Sequence, residues 1–93
     1  MYLMISKYLV SIDEVAKVRS AHLAFLEGLY ARGVLVAAGR QDPPVGGMVL
    51  LDVGDEALGH QILADDPYVL NGIAEYTAVG WHPTVGALAG YGK

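Results

Sequence analysis

The chain contains no cysteine, which excludes a disulfide framework, a thiolate nucleophile and any cysteine-based zinc or iron–sulfur site. Cations are sparse: six Lys and Arg stand against ten Asp and Glu, for a net charge of −4. No basic patch with interleaved aromatic residues exists, so nucleic acid is not an expected partner. No apolar run reaches the roughly 20 residues that span a bilayer, and no membrane partner is expected. The apolar start from Met1 to Val10 is interrupted by Lys7 and followed by no small-residue cleavage site, so it reads as a strand and not as a signal peptide. The lack of cysteine fits a reducing cytoplasm, the expected location.

What is present suffices for one small domain. Ninety-three residues with 54% apolar content, one Trp and six Tyr provide a modest core. Domains of this size often gain stability from a partner subunit.

The apolar run from Tyr2 to Leu9 has strand length and good strand formers. Ser11-Ile12-Asp13-Glu14 matches a capping box, which predicts a helix from there to about Arg32, closed by Gly33 as a left-handed cap. Val34 to Ala38 reads as a second strand, the Pro-rich stretch Arg40 to Gly47 as a reversal, and Met48 to Val53 as a third strand. Asp55 and Glu56 open a shorter helix carrying Leu58 and Ile62. It ends before Pro67, because the residue ahead of a proline avoids helical geometry. Ile73 to Trp81 completes the pattern as a fourth strand. Residues 1–84 form the predicted domain, and the Gly- and Ala-rich residues 85–93 a loose or partner-contacting tail.

The order strand-helix-strand-strand-helix-strand is the ferredoxin-like βαββαβ plan. It places a four-stranded antiparallel sheet under two helices that cover one face. The first strand is nonetheless largely apolar on both sides, with Tyr2, Met4 and Tyr8 on one and Leu3, Ile5 and Leu9 on the other. An uncovered apolar sheet face marks an interface, so a homodimer is expected, with further association of dimers left open.

His22 carries the most information. Val15, Val18, His22, Phe25 and Leu29 recur at helical spacing, so an imidazole sits within an inward-facing stripe. Its ordinary pKa near 6.5 suits general acid–base work. Taken alone, a helix histidine is more often a packing residue, and an Asp before Pro is usually a turn or helix-end device. Arg19, three residues earlier, shares the histidine's neighbourhood and suits an anionic oxygen; a solvated or intersubunit role fits it equally. Ser20 lies only two residues from His22 and points elsewhere, which argues against a Ser-His-Asp triad. His60 and His82 match no compact metal-ligand spacing with His22, so no metal and no cofactor are expected.

The motifs Arg19-Ser20-Ala21-His22-Leu23, Ala38-Gly39, Asp65-Asp66-Pro67-Tyr68 and Gly72-Ile73-Ala74-Glu75-Tyr76 together resemble the YciI-like proteins of the dimeric α+β barrel superfamily. The resemblance covers residues 1 to about 84. It implies a dimer whose sheets face each other, a pocket by the first helix's histidine, and a catalytic His-Asp dyad, here His22 and Asp66. Members include an enzyme that eliminates chloride from a chlorinated hydroxyquinol. The expectation is therefore a small cofactor-independent lyase or isomerase acting on a small ring compound, with Arg19, Ser20, Tyr68 and Tyr76 as substrate-binding candidates. The alternative is a non-catalytic dimer that binds a small ligand or supports another enzyme.

Overall fold

A computed structural model describes residues 1–91 of the chain. It runs β1 (Tyr2–Tyr8), α1 (Ile12–Ala31), β2 (Leu35–Arg40), β3 (Gly47–Leu51), α2 (Glu56–Leu63), α3 (Pro67–Leu70) and β4 (Ala74–Gly80). The strands form one sheet in the order β2-β3-β1-β4, every neighbour antiparallel. This is the α+β arrangement that the residue pattern predicts.

Side-chain chemistry at the helix ends explains where the helices begin. The Ser11 hydroxyl accepts a hydrogen bond from the Glu14 amide at 3.4 Å, satisfying one free donor at the start of α1. The reciprocal half of the expected capping box is not made: the Glu14 carboxylate instead pairs with Lys17 at 2.9 Å, one turn along the helix. Gly33 follows the helix with φ +77°, a left-handed conformation that a side chain would strain. Asp55 caps α2 through the Leu58 amide at 2.7 Å.

The third helix is the one element that the sequence pattern did not predict as such. Asp66 caps it, Pro67 occupies its first turn, and it lasts only four residues. That combination is a helix start, since a proline there gives up no hydrogen bond and its fixed φ suits the helix.

The helices cover one face of the sheet. Met4 of β1, Val49 and Leu51 of β3, Leu26 and Leu29 of α1 and Leu63 of α2 make the main core, with Phe25 partly buried beside it. A second cluster joins Val15 to Tyr68, Ile73 and Ala74. Leu26, outside the predicted stripe, is buried with its members Val15 and Leu29, whereas Val18 and Phe25 are only partly buried. At roughly 25 cal/mol per Å² over such side chains, burial of this layer is the main stabilising term.

On the other face the register brings Leu3 beside Leu50 and Val79, and Ile5 beside Met48 and Thr77. Met48 and Val79 are 40% and 50% exposed, and Lys7 lies opposite Glu75 at the end of the same face. No helix is long and apolar enough to cross a membrane among the described residues.

Candidate active site

Asp66 is the anchor of the site, and the short helix α3 explains its position. As the helix cap, its Oδ1 accepts the Tyr68 amide at 2.9 Å, which turns the carboxylate inward beneath α1. The residue has no solvent exposure. A buried carboxylate is costly unless hydrogen bonds replace its water. Two side chains supply them. His22 Nδ1 lies 2.8 Å from Oδ1 and 3.0 Å from Oδ2, and the Tyr76 hydroxyl donates to Oδ2 at 2.7 Å.

This arrangement decides the chemistry of the imidazole. A carboxylate only accepts, so a ring proton sits on Nδ1, and in the neutral imidazole Nε2 keeps its lone pair for the pocket. The His22 side chain is 12% exposed, enough to be reached and little enough to be shielded from bulk water. The Tyr68 ring stacks on it with centroids 3.8 Å apart and planes 3° from parallel, locking the ring's orientation. Tyr8 meets Tyr68 edge-on at 6.0 Å and braces it in turn.

Both tyrosines are held as neutral hydroxyls. Burial pushes Tyr76 far above the ordinary phenol range, and the negative Asp66 to which it donates pushes it further. Burial also raises Tyr68, aided by Tyr8 and Asp66 and opposed by the Arg19 guanidinium.

Nε2 opens into a pocket of about 110 Å³. At roughly 10–15 Å³ for each water-sized sphere, that is room for a ligand of about seven to eleven heavy atoms. Leu23, Leu26 and Val49 form its apolar wall, Ser6 and Gly47 its floor, and Tyr8, Arg19 and Arg40 its polar rim. The floor depends on glycines. A side chain on Gly47 would press on the Gly39 carbonyl, and one on Gly46 would collide with the Ser6 carbonyl. The Ser6 hydroxyl accepts the Gly47 amide at 2.7 Å, and Gln41 Nε2 donates to the Ser6 carbonyl at 3.0 Å. The hairpin is thereby pinned to β1.

A family model, the YCII-related domain, matches residues 1–82 of this chain. The chain belongs to the YCII-related family. No curated protein matches the sequence. A solved structure similar to this YCII-related protein is 5-chloro-2-hydroxyhydroquinone dehydrochlorinase (TftG) from Burkholderia phenoliruptrix AC1100, in complex with 2,5-dihydroxybenzoquinone. The two share 21% identity and a TM-score of 0.70 over 90% of this chain and 97% of that one, a likeness of fold.

Of the residues singled out in the sequence, His22, Asp66 and Tyr76 come together through direct hydrogen bonds, and Tyr68 and Arg19 join them at the pocket. Ser20 does not: it is exposed on α1 and lines no part of the pocket, because two residues turn a helix through about 200°. Glu75 points to the open sheet face, opposite Lys7, and so lies away from Arg19. His60 is exposed near Glu56, and His82 is exposed beyond the end of β4. No three His, Cys, Asp or Glu side chains converge among the described residues. Ser6, Tyr8 and Arg40 are pocket residues that the sequence reading did not select. Ser6 carried a signal, as a polar residue in the alternation Tyr2, Met4, Ser6, Tyr8 on the helix-facing side of β1.

Proposed function

We propose that this protein is a cofactor-independent lyase or isomerase in which His22 Nε2 moves protons on a small hydroxylated ring. The observation that carries this reading is the bidentate approach of Asp66 to His22 Nδ1, which aims the basic nitrogen into a pocket of ring size. Asp66 fixes the tautomer and stabilises the imidazolium that forms when Nε2 accepts a proton. Tyr76 holds the second carboxylate oxygen, and Arg19 meets the negative charge that develops on the ring oxygen.

For a halogenated polyhydroxylated ring, the steps balance as loss of HCl. His22 takes one hydroxyl proton and returns it to the carbon bearing chlorine, leaving a ketone. Chloride then departs with the electrons of the carbon–chlorine bond while a second hydroxyl gives up its proton, and a hydroxyquinone results. The likeness to a dehydrochlorinase supports this choice of substrate class. The apolar open sheet face supports a homodimer, with two sheets packed against each other, as the working form.

The test is a panel of hydroxylated and halogenated rings, beginning with 5-chloro-2-hydroxyhydroquinone, assayed for chloride release and for deuterium uptake at ring carbon. Ligand affinity is measured alongside for the wild type and His22→Asn. The expected result is turnover by the wild type that falls at least about 100-fold in His22→Asn with affinity and fold retained. A panel that binds without turning over, with only its affinity changed by His22→Asn, would instead identify a binding or accessory module.

A further inference from the structure

The pocket is electrically one-sided. Arg19 and Arg40 stand on its rim, and none of its lining residues is an acid. Asp66 lies beneath it, but its two oxygens are occupied by His22, Tyr68 and Tyr76. Neither arginine makes an ion pair among the described residues, where the salt bridges are Lys17–Glu14, His22–Asp66 and His60–Glu56. In a chain with ten acids and only six Lys and Arg, two of those cations thus line one small cavity without an ion-pair partner among the described residues.

Their placement comes from separate elements. Arg19 lies one turn before His22 on α1, close enough to the Tyr68 hydroxyl to oppose the effect of its burial. Arg40 is the last residue of β2 and pairs in register with Gly47 on the pocket floor. A guanidinium presents donors in a planar fork that matches two oxygens sharing one negative charge.

We propose that Arg19 and Arg40 form an anion clamp, so that the substrate is a ring compound entering with a negative charge already spread over two oxygens. The shared chemistry is that of a carboxylate or of its vinylogous counterpart, an acidic enol conjugated to a ketone, which the hydroxyquinone formed on loss of HCl also carries. This rests on the reading of His22 as the proton carrier: the clamp holds the charged edge of the ring and turns a neutral hydroxyl toward Nε2. The clamp supplies selectivity, since a neutral ring of the same size gains only the apolar wall.

The experiment is calorimetric titration of the full chain, as wild type, Arg19→Gln and Arg40→Gln, with three probes. These are 2,5-dihydroxybenzoate for the carboxylate, 2,5-dihydroxybenzoquinone for the vinylogous acid, and hydroquinone as the neutral control. At least one anionic probe is expected to bind tenfold or more tightly than hydroquinone, to lose about ten- to hundredfold in each variant, and to weaken with added salt. Whichever anion binds names the source. Hydroquinone binding as tightly as both acids, or acid affinity unchanged in Arg40→Gln, overturns the clamp. Both arginines are exposed and outside the core, so the variants fold. Failure of the proton-transfer reading is separate: there His22→Asn keeps turnover at the wild-type rate, while the arginine variants still lose the acids.

Discussion

Replacing Asp66 by Asn removes one charge from the buried centre of the site and keeps its shape. In the native protein three donors end on two carboxylate oxygens. Asparagine offers one oxygen and one amide group. With the oxygen at the Oδ1 position, the Tyr68 amide and His22 keep an acceptor and the Tyr76 hydroxyl faces a donor. With the oxygen at Oδ2, Tyr76 is satisfied and the Tyr68 amide is opposed. One buried donor therefore loses its acceptor, at about 1–3 kcal/mol, and the surviving bonds drop from charge-assisted to neutral, about 1 kcal/mol each. Relief of the buried charge's desolvation offsets part of this. The net expectation is a loss of about 1–3 kcal/mol, or roughly 4–8 °C of melting temperature per kcal/mol for a domain of this size. In the second orientation the amide donates to His22 Nδ1, which moves the ring proton to Nε2 and removes the base; in either orientation the charge that stabilises the imidazolium is lost. Turnover is expected to fall roughly 10²- to 10⁴-fold. Urea denaturation and the ring ¹⁵N shifts of His22 read the two effects separately. An Asp66→Asn protein with wild-type stability and the imidazole proton still on Nδ1 would refute the reasoning.

Tyr76→Phe is expected to cost about 1.5–3 kcal/mol at neutral pH, the worth of a hydrogen bond to a charged acceptor, as measured by denaturant titration. The same variant changes the alkaline limb. The folded protein holds the Tyr76 proton above the ordinary value near 10, so wild-type stability is full below about pH 10 and then falls by about 1.4 kcal/mol per pH unit for this group. Tyr76→Phe removes that contribution, and an unchanged slope between about pH 10 and 11 would count against it. Gly46→Ala is expected to lose about 3 kcal/mol, at the upper end for overpacking, because the new methyl group meets the Ser6 carbonyl of β1. Melting at the wild-type temperature would contradict that packing. Met48→Glu and Val79→Glu place charges on the open sheet face and are expected to yield monomers by light scattering, against a wild-type dimer at micromolar concentration.

Local rules carried much of this molecule. Ser11, Gly33 and Asp55 marked helix ends because capping and left-handed geometry are satisfied within a few residues of chain. The 3-4 spacing of α1 marked its inward side, since the helix period is a property of the backbone, whereas β1, apolar on both sides, did not show which side the helices cover. The family motifs pointed to His22 and Asp66, 44 positions apart.

Long-range packing set the rest. The residue pattern makes Asp66 a turn or helix end, whereas Pro67 to Leu70 continue into α3, packed beside α1, so that Asp66 begins a helix. Tyr76 donates its hydroxyl to the dyad only because β4 lies next to β1 at that register. Arg40 was invisible as a site residue, since its role depends on where the hairpin lands, and Ser6 was marked only as a polar break in an apolar alternation. Sequence periodicity reports how each element is divided between inside and outside. Which side chains meet across 30 or 40 residues of chain depends on sheet register and helix docking, and these are chosen by burial summed over the whole core.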